Sequence, residues 1–118
     1  MATKPHVLIT GAAGLVGGIV RQHWSDRYRL RLADIQPVSD LADHEESIKL
    51  DIRDLEAFTE ACRDIDVVLH LAADRSPSAD FYDTLIDLNL IGCYNGFEAA
   101  RRSGCRRVVF ASSINAVL

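Results

Sequence analysis

The 118-residue chain has no apolar run approaching the about 20 residues that cross a bilayer. A membrane-spanning role is therefore not expected. Met1-Ala2-Thr3-Lys4-Pro5 leads straight into an apolar segment and lacks the layout of a signal peptide. Basic charge is in deficit, with 13 Lys and Arg against 17 Asp and Glu for a net charge of −4. A protein that grips nucleic-acid phosphates carries the opposite balance, so no nucleic-acid partner is expected. The three cysteines, Cys62, Cys93 and Cys105, are odd in number and far apart. They give neither a disulfide framework nor zinc spacing, and read as reduced packing residues of a cytoplasmic protein with no metal site. Repeats and low-complexity stretches are missing too. What remains is 48% hydrophobic and 25% charged, the composition of one globular domain.

Apolar runs alternate with helical patterns along the chain. His6–Thr10 reads as a buried strand, and Leu15, Val16, Ile19, Val20 and Trp24 then fall at helical spacing over residues 14–25. Arg29–Asp34 alternates as a half-buried strand. Residues 36–47 are polar and read as a loop, followed by a short strand over 48–51. Asp54 is the expected N-cap of a helix carrying Leu55, Phe58, Ala61 and Cys62. Residues 66–73 are apolar on both faces, as in a central parallel strand, and His70 within them reads as a core histidine. A long helix is expected from Asp80 to its C-cap Gly104, with Arg101 and Arg102 in the last turn. Arg107–Ser112 is a fifth strand. This alternation predicts an α/β fold with a doubly wound parallel sheet of about five strands.

Between the first strand and the first helix lies Thr10-Gly11-Ala12-Ala13-Gly14-Leu15-Val16-Gly17. Gly11 suits a tight turn, Gly14 a close backbone approach to a pyrophosphate, and Gly17 close packing of helix on strand. The helix N-terminus, opening on Leu15 and Val16, offers free N–H groups to phosphates. Asp34 ends the second strand about 20 residues later, where an acid can bind both hydroxyls of an adenosine ribose. A carboxylate there repels a 2′-phosphate, so the expected cofactor is NAD rather than NADP. Glycines alone also fit a ligand-free turn.

The spacing Gly11-x-x-Gly14-x-x-Gly17 resembles that of the extended short-chain dehydrogenase/reductase family, also called the NAD-dependent epimerase/dehydratase family. Four more segments resemble it: Asp51-Ile52, His70-Leu71-Ala72-Ala73, Asn89-x-x-Gly92-x-x-Asn95 and Phe110-Ala111-Ser112-Ser113. Together they cover residues 6–116. The resemblance implies a Rossmann fold with strand order 3-2-1-4-5. It implies adenine contacts at Asp51 and Ile52, cofactor contacts along Leu71, Ala72 and Ala73, and Asn89 near the nicotinamide. It also implies that Ser113 donates a hydrogen bond to the substrate oxygen. Within the family the Asn89–Asn95 and Phe110–Ser113 segments most resemble the uronate dehydrogenases, which implies a sugar or sugar-acid substrate. Ile114-Asn115 and Arg75 depart from the pattern of that branch.

The family's proton transfer relies on a Tyr-x-x-x-Lys pair. Here Tyr28, Tyr82 and Tyr94 are followed four residues on by Leu32, Ile86 and Glu98, and the lysines are Lys4 and Lys49. The expectation is therefore an incomplete NAD-binding domain over residues 1–118, the cofactor-binding part of a longer oxidoreductase or epimerase. The alternative is a non-catalytic dinucleotide-binding or redox-sensing module. The helix 80–103, with Leu85, Leu88, Cys93, Phe97 and Ala100 beside Gly92 and Gly96, is expected to build a homo-oligomer, as it does in the family.

Overall fold

The computed structural model describes residues 4–73 and 80–111. Strands β1 (His6–Thr10), β2 (Arg29–Asp34), β3 (Glu45–Lys49), β4 (Val67–His70) and β5 (Arg107–Phe110) form one parallel sheet. Its order is β3-β2-β1-β4-β5, as expected. Helices α1 (Leu15–Trp24), α2 (Leu55–Ala61) and α3 (Gly92–Ser103) make the crossovers, with a π-helix, Phe81–Ile91, running into α3.

β1 lies at the centre and is buried along its whole length. Its alternating side chains feed two cores. Leu8 packs with Phe58, Cys62, Val68 and Ala99 on the α2/α3 side. Val7 and Ile9 pack with Leu30, Leu32, Val20 and Trp24 on the α1 side. Asp54 caps α2 as expected, accepting the Ala57 N–H at 3.0 Å.

Three boundaries differ from the sequence expectation. β3 begins at Glu45, inside the polar stretch read as loop. Its strand has no apolar alternation because its acids are held by arginines. Glu45 takes both Nε and Nη2 of Arg21 at 2.9 Å, and Glu46 takes Nε of Arg31 at 2.6 Å. β4 ends at His70 because the next amides, Leu71 and Ala72, turn onto the Thr10 hydroxyl. β5 stops at Phe110, and Ser112 and Ser113 lie outside the described residues.

The long helix also differs. Asp80 caps it, accepting the N–H groups of Tyr82 and Asp83 at 2.9 Å, and Gly104 closes it at φ 76°, both as expected. Its first half, however, carries i→i+5 bonds, such as Leu85 N–H to Asp80 C=O at 3.1 Å. The apolar face expected from regular helical spacing is therefore divided. Leu88 and Ala100 pack on the core, whereas Phe97 is exposed. Gly92 and Gly96 face Ile52 and Phe58 of the same chain. They serve internal packing.

Candidate functional site

The carboxyl ends of β1, β2 and β4 meet at the point where the strand order reverses, the usual seat of a ligand in a doubly wound sheet. Gly11 leaves β1 at φ 69°, and a Cβ there would stand 2.9 Å from the Ala72 amide nitrogen. The turn is therefore closed to any other residue by both conformation and space. At Gly17 a Cβ would meet the Ala12 backbone at 2.8 Å, so glycine is what lets α1 start this close to β1. The first helical bond of α1 runs from Gly18 N–H to Gly14 C=O at 3.0 Å. The N–H groups of Leu15, Val16 and Gly17 precede that ladder at the positive end of the helix.

Asp34 links this turn to β2. Its Oδ2 accepts the Ala13 N–H at 3.0 Å and its Oδ1 accepts the Gln36 N–H at 2.9 Å. A carboxylate offers about four acceptor positions, so each oxygen keeps a further lone pair. Ala12 N–H to Ala33 C=O, at 3.2 Å, fastens the same junction.

Two clefts open here. One, of about 180 Å³, is bounded by Gly11, Asp34, Ile35, Leu50, Ile52 and Leu88, with Ala33, Ala72 and Ala73. The other, of about 210 Å³, is bounded by Gly14, Leu15, Val16, Gly17, Leu71 and Ala111. They share Gly11, Asp34 and Ala73, so they form one crevice across the end of β1. Each is smaller than a typical drug-sized site of about 300–1,000 Å³, and together they suit an extended ligand. The apolar exposure of Leu15 (71%) is explained by this position at the cleft rather than in the core.

Among the described lining residues, Asp34 is the single ionisable side chain. What the described residues offer a phosphate is the set of free backbone N–H groups at the start of α1. Among the described lining residues there is no proton-transferring base other than that carboxylate. The crevice as described is equipped to bind and orient.

Of the residues expected at the site, Gly11, Gly14, Leu15, Val16, Gly17, Asp34, Ile52, Leu71, Ala72 and Ala73 line the crevice. Asp51 does not line it. Its carboxylate is taken by Arg53, which approaches with Nε at 2.9 Å and Nη2 at 2.7 Å and holds the group below the usual carboxylate range. Asn89 sits half-buried on the π-helix, next to the lining residue Leu88, and is not itself among the residues that line the clefts. Ser113 lies outside the described residues.

Sequence reading missed the function of Thr10. Its Oγ1 accepts N–H groups from Leu71 at 3.0 Å and Ala72 at 3.2 Å, and lies 2.8 Å from His70 Nδ1. With its acceptor positions filled, the hydroxyl donates to Nδ1, which places the imidazole proton on Nε2. Burial holds His70 neutral, its pKa lowered to about 4. The arrangement clamps the end of β4 to the start of the glycine turn. Thr10 directly before Gly11, together with a lone histidine in an apolar strand, was the available signal.

None of the helices among the described residues is long and apolar enough to cross a membrane. The chain is 34% identical over 117 residues to the uronate dehydrogenase of Pseudomonas putida, covering 96% of this chain and 43% of that protein. It is 37% identical over 112 residues to the L-arabinose 1-dehydrogenase (NAD(P)(+)) of Haloferax volcanii, covering 91% and 40%. A crystal structure of an Agrobacterium tumefaciens uronate dehydrogenase variant complexed with NAD superposes with a TM-score of 0.83 at 37% identity, covering 94% and 42%. The chain thus spans about two fifths of the length of these relatives. The model of the NAD-dependent epimerase/dehydratase family matches residues 7–117, and the chain belongs to that family.

Proposed function

We propose that residues 1–118 form an NAD-binding domain, the cofactor-binding part of an NAD-dependent oxidoreductase or epimerase acting on a sugar or sugar acid. Hexuronate oxidation fits best, given the uronate dehydrogenases among its relatives. The observation that carries the reading is Asp34. It is the one charged side chain among the described lining residues, lies on both clefts, and is braced by two backbone N–H groups with acceptor capacity left over. That arrangement fits the two hydroxyls of an adenosine ribose. The apolar cleft of Ile35, Leu50, Ile52 and Leu88 takes the base. Gly14 and the N–H groups of Leu15, Val16 and Gly17 take the pyrophosphate. Leu71, Ala72 and Ala73 are assigned to the nicotinamide half, and so is Asn89, by its family resemblance. Asp51 is assigned to the adenine edge and would have to loosen its hold on Arg53 to reach it. Ser113 is assigned to the substrate oxygen. Bound NAD supplies the hydride acceptor; the chain supplies its placement and an apolar, poorly hydrated wall.

A second reading, a non-catalytic dinucleotide-binding module, is favoured by the described crevice lining, which offers backbone N–H groups and the Asp34 carboxylate for binding. Three free cysteines support a cytoplasmic location. The exposed Tyr94 and Phe97 on α3 support a homo-oligomer.

Isothermal titration tests the cofactor assignment. NAD should bind more tightly than NADP. Asp34→Ala should cost NAD on the order of 2 kcal/mol, the worth of a hydrogen bond to a charged group, while sparing NADP. Tighter binding of NADP by the unmodified chain would contradict the assignment.

A further inference from the structure

The base end of the crevice is shaped from behind by α3. Ile52, which lines that end, belongs to neither strand nor helix but to the turn between β3 and α2. The bonds around it within the turn are local, from Asp54 N–H to Asp51 C=O at 3.0 Å and from Arg53 N–H to Asp51 Oδ1 at 3.0 Å. The long-range tie is Asn95, whose Nδ2 donates to the Ile52 carbonyl at 2.9 Å. Asn95 is buried, 4% exposed, and touches neither cleft. One turn earlier on α3, Gly92 leaves the space that the Ile52 side chain fills. A Cβ on Gly92 would stand 2.5 Å from Ile52 Cδ1 and 2.9 Å from its Cγ1. The backbone of Ile52 and the tip of its side chain are thus both set by the same helix.

We propose that Asn95 and Gly92 are positioning residues for the base end of the crevice, acting through Ile52. Asn95 fixes the carbonyl, hence the height of the turn. Gly92 fixes the depth to which the Ile52 side chain retracts from the cleft. An adenine stacked against Ile52 feels both. The inference rests on the dinucleotide reading of the crevice and adds to it two residues that no ligand touches.

Removing the Asn95 carboxamide leaves a buried carbonyl unpaired and frees the turn. Adding a methyl at Gly92 displaces the flexible end of Ile52 and no backbone. The second change therefore perturbs the cleft while the fold stands.

The test is titration of the chain with AMP, paired with thermal melts followed by circular dichroism. Asn95→Ala and Gly92→Ala should each weaken AMP by about fivefold, the effect of a single ordinary hydrogen bond. The double variant Gly92→Ala/Ile52→Val should regain most of that loss, because valine lacks the Cδ1 that the new methyl meets. Should Asn95→Ala lose its cooperative melt, the Gly92→Ala pair decides. Unchanged AMP affinity in folded Gly92→Ala, or no regain in the double variant, overturns the positioning assignment while the dinucleotide reading stands. Failure of the unmodified chain to bind AMP overturns that reading and the inference with it.

Discussion

At Asp34 and in the glycine turn, local spacing determines the chemistry, and so those residues are legible in the sequence. A strand, three glycines at fixed offsets and an acid at the next strand end require no knowledge of distant contacts. Asp51 shows the limit of such reading. Arg53, two residues on, satisfies its carboxylate through a turn whose geometry the spacing does not disclose. Thr10 and His70 show another, since they face each other only through the register of β1 against β4. Two predictions belong at this scale. Gly14→Val should abolish NAD binding while the circular dichroism spectrum is kept, because its branches occupy the phosphate approach on an exposed turn; retained affinity would place the phosphates elsewhere. His70 bears on pH. With its folded pKa near 4 and an ordinary value of 6.5, the unfolded chain takes up the proton first as pH falls. Stability is full above about pH 6.5 and declines between 6.5 and 4, by up to about 3 kcal/mol. His6, also lowered chiefly by burial, adds in the same direction. Melts between pH 7 and 5 should show a shallower decline for His70→Asn, which keeps an acceptor near Nδ1; an unchanged slope would contradict the buried neutral imidazole.

Elements were legible where hydrophobic period spoke and illegible where charge or backbone geometry decided. β1, β2, α1 and α2 announce themselves by apolar spacing and by the Asp54 cap. β3 does not, because its residues are held by Arg21 and Arg31 rather than by an apolar face. The π-helix could not be read, since its widened bonding changes which residues share a face without altering composition. Where α3 resumes regular spacing, Gly92, Asn95, Gly96, Ala99 and Ala100 form the buried stripe, and Gly96 brings the helix to within 3.4 Å of the Phe58 ring, measured from an added Cβ. Phe58 is fully buried at the meeting of α2, α3 and the sheet. Phe58→Ala should therefore cost about 3–5 kcal/mol in chemical denaturation. A loss below about 1 kcal/mol would mean that α2 and α3 are not packed through that ring.

For the molecule as a whole, the alternation of strands and helices carried the parallel sheet and its right-handed crossovers, while the strand order was implied by the family resemblance. Assembly was harder to read, because the small residues expected to meet a second copy are spent on internal packing. Tyr94, Phe97, Val109 and Phe110 nevertheless remain exposed on and beside α3. Sedimentation velocity over a range of concentrations should show self-association that Phe97→Ser weakens. A compact monomer throughout would remove that face from consideration as a contact between copies. The crevice is proposed to hold NAD, and hydrogen–deuterium exchange with and without NAD tests that proposal most directly. Exchange should slow at residues 11–17, at Asp34–Gln36 and at Leu71–Ala73, with α2 little changed. Protection confined to other segments, or none at saturating NAD, would contradict it.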